Sequence, residues 1–256
     1  MVAKVGILVT RPSGQADNLC AAIAAAGFSA HHLPMLQLQP LPEPTSVQRQ
    51  CLLELDRCQH LIFISSNAVR FGMAWIESFW PQLPTGLEWF AVGDATAALL
   101  SDFGVSAHTP GMAMNSEGLL VLPELQHVND HRVLIIKGEG GRDALATTLR
   151  ARGARVEELV CYRRVPPALE TAELVSKLEQ WGIQLAMLSS GEGLAHMLAL
   201  LRPAETTKFT HIKLLVPSER VAQMARDAGF QVLIAENASD SAMLRALNAW
   251  QSTAGE

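Results

Sequence analysis

Short apolar runs recur along the chain at Gly6–Thr10, Leu61–Ser65, Trp89–Gly93, Arg132–Lys137, Gln184–Ser189 and Lys213–Pro217. They are rich in Val, Ile, Leu and Phe and do not alternate with polar residues, which predicts parallel strands buried on both faces. Longer amphipathic stretches with small or polar residues at their starts separate the runs, as helices would. Four of these stretches stop at a glycine that precedes another short apolar run: Gly27-Phe28, Gly104-Val105, Gly153-Ala154 and Gly229-Phe230. Glycine just past a helix end is the usual left-handed cap. Strand, helix, glycine, strand is the βαβ rhythm of an α/β fold.

The units also repeat. LIFISSNAVRF resembles LAMLSSGEGLA at a shift of 124, and in both halves a second strand-and-turn follows 28 residues on, from Ser66 to Asp94 and from Ser190 to Ser218. At a shift of 126, Arg11 falls on Lys137, Leu19 on Leu145, Ile23 on Leu149 and Gly27 on Gly153. The middle of the chain holds all three units in order, whereas the C-terminal part lacks the third, which stands at the N-terminus. This predicts one domain built from both chain ends, residues 1–36 and 168–256, with a second domain, 41–161, inserted into it. The chain would cross between them at 37–40 and 162–167, proline-flanked and extended. The expected fold is α/β: two flavodoxin-like or Rossmann-like parallel-sheet domains joined by a two-segment extended hinge, one domain discontinuous, with a cleft beside the hinge.

Composition narrows the class. The 256 residues are 49% hydrophobic and 18% charged, enough apolar surface for two cores. The net charge of −5 argues against a nucleic-acid binder, which is usually basic. No run of about 18 apolar residues suggests a membrane span. The apolar stretch Val5–Val9 is too short for a secretory signal, so a cytoplasmic location is expected. A monomer is the expectation for the oligomeric state, which the sequence itself leaves open. Cys20, Cys51, Cys58 and Cys161 show neither zinc spacing nor a disulfide framework, and His31-His32 lacks acidic or thiol company, so no metal is expected.

In open parallel sheets ligands bind beyond the carboxyl ends of the strands. The turns expected there carry Arg11, Ser65-Ser66-Asn67, Lys137-Gly138 with Arg142, Ser189-Ser190-Gly191 and Ser218-Glu219. Free amides at helix starts, with basic side chains beside them, suit a ligand bearing several carboxylates or phosphates. Ser and Asn are also ordinary helix caps, and Arg and Lys ordinary surface residues. The Lys137-Gly138-Glu139-Gly140-Gly141 turn lacks the third glycine of a dinucleotide fingerprint, Asp143 standing there, and neither GxxxxGK[ST] nor GxSxG occurs. Tyr162, the one tyrosine, lies where the inserted domain hands the chain back. Its phenol could donate a proton to a leaving group, or its ring could pack for shape.

LVTRP, FISSNAV, FAVGDATAALL, IIKGEGGR, ELVCYRR, LSSGEGL and VPSERVAQMARDAGF, taken in order over nearly the full length, resemble the uroporphyrinogen-III synthase family. That resemblance implies two α/β domains, one discontinuous, and no metal or organic cofactor. It implies a cyclising hydro-lyase of haem biosynthesis. The substrate would be hydroxymethylbilane, a linear tetrapyrrole with eight carboxylates, possibly handed over by the preceding enzyme. Water would leave its terminal hydroxymethyl group, and a spiro intermediate would invert ring D in uroporphyrinogen III. Tyr162 would be the acid; amides at Ser65, Ser66, Asn67, Gly138, Ser189, Ser190, Gly191, Ser218 and Glu219 would hold carboxylates; Arg11, Lys137 and Arg142 would add charge. Glu219 is an awkward member, an acid beside a carboxylate site. A non-catalytic two-lobed protein that binds small anions is the competing expectation.

Overall fold

The structure is a computed structural model that describes residues 4–111, 115–141 and 143–254. Ten strands run in chain order: β1 Gly6–Val9, β2 Ser29–His32, β3 Gln37–Pro40, β4 His60–Phe63, β5 Glu88–Ala91, β6 Arg132–Gly138, β7 Arg155–Val165, β8 Ile183–Met187, β9 Lys213–Val216 and β10 Val232–Ile234. They form two five-stranded sheets, ordered β10-β9-β8-β1-β2 and β3-β7-β6-β4-β5. The chain falls into two units, one of residues up to Leu38 together with those from Val165 onward, the other Gln39–Arg164.

In the first unit every strand pair is parallel. Side-chain alternation sorts its strand residues onto two faces. Ile7, Val9, Leu185, Met187 and Leu215 pack with the helices Asp17–Ala25 and Asp240–Ala254. Leu8, Ala186, Leu214 and Val216 pack with Thr171–Gln180, Gly191–Leu200 and Glu219–Asp227. Each fully buried aliphatic side chain contributes about 1.5–3 kcal/mol. The strand order reverses between β1 and β8, which opens a crevice beyond their carboxyl ends.

The second unit repeats this plan. Its run β5-β4-β6-β7 corresponds to β9-β8-β1-β2, as the repeat predicts, and the switch lies between β4 and β6. Ile62, Val133 and Ile135 pack with Leu145 and Leu149 of the helix Ala144–Ala151. On the other face the helix Ser66–Phe79 lies so close to β6 that a side chain at Gly72 would run into Ile136.

Three details depart from the sequence reading. The run after Gly104 yields only a single bridge, His108 to Phe90, rather than a strand; Pro110 stops it. Strand β6 continues through Gly138, where a turn is expected. The extended crossings pair with strands instead of running free: β3 lies beside β7, Leu41 N–H donates to Cys161 O at 3.0 Å, and Arg163 Nε donates to Gln39 Oε1 at 3.2 Å. Extended backbone leaves N–H and C=O groups open, and pairing satisfies them. Gly27, Gly104, Gly153 and Gly229 all have positive φ, as left-handed caps require.

Candidate active site

In the second unit the rim is built around Gly138. The register sets Gly138 beside Tyr162, with an irregularity after Lys137, and Glu139 N–H donates to Tyr162 O at 2.8 Å. Because Gly138 has no side chain, the Tyr162 ring lies flat across the end of β6; a Cβ there would stand 2.6 Å from Cζ of the ring. The phenol thereby reaches the turn after β4, where its hydroxyl is 3.2 Å from Ser65 Oγ. Ser65 caps the helix Ser66–Phe79, its Oγ accepting from Ala68 N–H at 3.0 Å. Phe71 of that helix stacks on the phenol ring at 5.1 Å between centroids, and Tyr162 is 4% exposed. Ser66 and Asn67 form the first turn, where N–H groups lack intrahelical acceptors. The neighbouring Cys161 thiol is buried, which pushes it up to about 12 and leaves it inert as a nucleophile.

Lys137 is turned elsewhere. Strand alternation puts it on the face opposite Tyr162, buried, with Nζ 2.8 Å from Glu158 and 3.5 Å from Asp143. Its charge is therefore matched within its own unit, unlike the open cation that the sequence suggests. Arg142 lies outside the described residues.

The first unit's rim holds Arg11, Ser189, Ser190, Gly191, Ser218 and Glu219. Arg11 Nη1 pairs with Asp240 at 2.5 Å, Nη2 donates to Ala238 O, and His32 Nε2 bonds Arg11 O at 2.8 Å. Ser190 caps the helix Gly191–Leu200, accepting from Gly193 N–H at 3.1 Å, while Ser189 stays in the turn. Ser218 stands at the cap position of Glu219–Asp227 but makes no capping bond with its side chain. Glu219 reaches Arg226 at 2.5 Å, which resolves its awkward charge. Sequence reasoning singles out the polar turn residues but misses Phe71 as a ring partner and Asp240 as the Arg11 partner. Phe71 is six residues past Ser65, off any helical repeat, so no sequence pattern signals the former, and nothing local signals a contact 229 residues away. Among the described residues no group of three His, Cys, Asp or Glu side chains could hold a metal ion, and no helix is long and apolar enough to cross a membrane.

Residues 17–245 match the family model described as uroporphyrinogen-III synthase HemD. The chain belongs to the uroporphyrinogen-III synthase family. It is 35% identical over 249 residues to the Escherichia coli uroporphyrinogen-III synthase, covering 95% of this chain and 100% of that protein. It is also 35% identical to the Salmonella typhimurium synthase over 247 residues, with 95% and 100% covered. Among solved structures, a Thermus thermophilus mutant uroporphyrinogen III synthase superposes with a TM-score of 0.63 at 18% identity, over 97% of this chain and 99% of that one. The Helicobacter pylori synthetase gives 0.61 at 14% identity, over 96% and 99%. These two establish the shared fold; the sequence relatives and the family model establish membership. With membership comes the enzyme class, a cyclising lyase of porphyrin and haem biosynthesis.

Proposed function

We propose that this chain converts hydroxymethylbilane to uroporphyrinogen III and that Tyr162 supplies the proton for the first step. The observation that carries the assignment is the Ser65–Tyr162 hydroxyl pair beside Gly138. Ser65 Oγ already accepts from Ala68 N–H. Its own proton is then free to donate to the phenol oxygen, which leaves the phenol proton available to a substrate. That proton passes to the terminal hydroxymethyl oxygen, the C–O bond breaks, and water departs, giving an N-protonated azafulvene, a cation beside the phenolate. The ring D carbon that bears the chain attacks it, a spiro pyrrolenine forms, and fragmentation followed by closure at the other α-carbon inverts the ring. A proton lost on rearomatisation returns to the phenolate. The sequence of steps is redox-neutral and releases one water.

Most of the selectivity is conformational, because the linear bilane also closes to the uninverted isomer without help. Holding carboxylates at fixed amides is a legitimate source of rate and selectivity. The amides of Ser66, Asn67, Ser189, Gly191 and Glu219 are assigned that role, with the hydroxyls of Ser65, Ser190 and Ser218 beside them. The enzyme is proposed to act as a cytoplasmic monomer that receives its substrate from the preceding enzyme. The test is incubation with freshly generated hydroxymethylbilane, separating type III from type I product. Type III as the main product is expected; binding without turnover would favour the anion-binding alternative.

A further inference from the structure

Resting on that reading, we infer that Arg220 is a substrate-carboxylate ligand of the first unit's rim. Arg11 is engaged by Asp240, and Arg226 by Glu219. Among the described residues Arg220 has no carboxylate partner, although it is an exposed arginine only two residues past the end of the turn after β9. Its side chain folds back over Gly191, the residue after Ser190. Nη1 and Nη2 stand 3.3 and 3.5 Å from where a Cβ on Gly191 would be, with Met224 Sδ also at 3.3 Å. Two helices thus present one planar cationic group at the turns after β8 and β9. Ser218, two residues before Arg220 in the chain, makes no capping bond with its hydroxyl.

The charge pattern explains how an acid at 219 is tolerated here. Glu219 is drawn along its own helix to Arg226, so the side chain that projects at the turn is the guanidinium of residue 220. A guanidinium fork matches a carboxylate with two parallel hydrogen bonds, which an ammonium cannot reproduce. Gly191 matters for the same reason. A methyl group there would not strain the helix, since alanine is favoured in helices, but it would press on the guanidinium, which must give by a few tenths of an ångström.

The experiment is steady-state kinetics on Arg220→Gln, Arg220→Lys and Gly191→Ala with freshly generated hydroxymethylbilane. Arg220→Gln should raise KM about ten-fold with kcat within about two-fold, the loss of one charge-assisted contact. Its KM should also respond less to added salt than that of the parent enzyme. Arg220→Lys should recover part of the affinity. Gly191→Ala should raise KM in the parent but not further in the Arg220→Gln background. Unchanged KM and unchanged salt response in Arg220→Gln, or additive effects with Gly191→Ala, would overturn the inference. A parent enzyme that forms no type III product would instead overturn the reading on which it rests.

Discussion

The two units carry the same turn after the same strand and use it differently. At a shift of 126, Arg11 corresponds to Lys137 and Leu36 to Tyr162. Both cations are neutralised, but Arg11 by a residue of the C-terminal helix and Lys137 by the neighbouring strand β7. Only the second unit has a hydroxyl side chain laid across its central strand, because only there does a glycine follow the cation; the first unit has Pro12. The serines differ too. Strands β4 and β8 end at equivalent residues, Phe63 and Met187, yet the cap is Ser65 in one unit and Ser190 in the other. The first unit's turn therefore holds one more residue before its helix. Repetition preserves strand, cap and glycine, which the fold needs, and leaves the hydroxyl pair Ser65–Tyr162 to one copy.

The sharpest way to break this comparison is Tyr162→Phe. Loss of a proton donor should lower kcat about a hundred-fold, while losing one hydroxyl contact costs about 1 kcal/mol of stability. Unchanged turnover, measured as type III product formed per second, would take Tyr162 out of the acid role. Gly138→Ala tests the reason that Tyr162 can sit there. The new methyl group must push the ring aside, so activity should fall by about as much, since a small misplacement costs about a hundred-fold. Overpacking should remove about 1–3 kcal/mol of stability as well. The comparison fails if Gly138→Ala and Tyr162→Phe together lose far more activity than either alone.

A smaller effect separates the two cations. Lys137→Met leaves Glu158, among the described residues, with the more distant Arg150, at 3.4 Å. Breaking a buried pair costs about 3–5 kcal/mol; with Glu158 a quarter exposed, about 2 kcal/mol is expected. Arg11→Ala breaks a pair whose Asp240 is 38% exposed, so about 1 kcal/mol is expected, with a modest rise in KM as its main kinetic effect. Thermal melting and KM measured side by side decide this. A large KM rise in Lys137→Met without a loss of stability would return Lys137 to the substrate.

The six apolar runs were legible because buried parallel strands need unbroken hydrophobicity, and the bounds of each lie within two residues of an observed strand. Strands β2 and β3 were not, because SAHH and QLQP are half-polar edge strands whose pairing is decided by their neighbours. At the site, the polar turn residues could be read from capping chemistry alone. That Lys137 faces away from Tyr162 could not, since it depends on β6 running one residue further than its apolar pattern indicates.

The smallest expected effect distinguishes the units by pH. The second unit holds three buried thiols, Cys51, Cys58 and Cys161, pushed by burial from 9.0 up to about 11, 11 and 12. Folding favours their neutral form, so the stability they contribute is complete below pH 9.0 and is lost as pH rises from there toward the folded values. The same unit buries His60 against Phe90, with Nε2 2.8 Å from His131 Nδ1 and Nδ1 2.9 Å from Glu88. Burial lowers its pKa below 6.5, Glu88 opposes this, and His131 and His108 reinforce it. Here too folding favours the neutral form, so stability is lost as pH falls below 6.5, where the unfolded imidazole takes a proton first. The first unit has one half-buried thiol, Cys20, raised by burial, and a half-buried histidine, His31, lowered by burial; among its described residues no histidine is as buried as His60. Hydrogen exchange resolved by segment should therefore show β4 and β6 losing protection before β1 and β8, both below pH 6 and above pH 9. Equal loss in both units at either extreme would mean that these buried groups do not govern the pH limits of the fold. His60→Gln, which cannot take up a proton, should remove the difference on the acid side and leave it on the alkaline side.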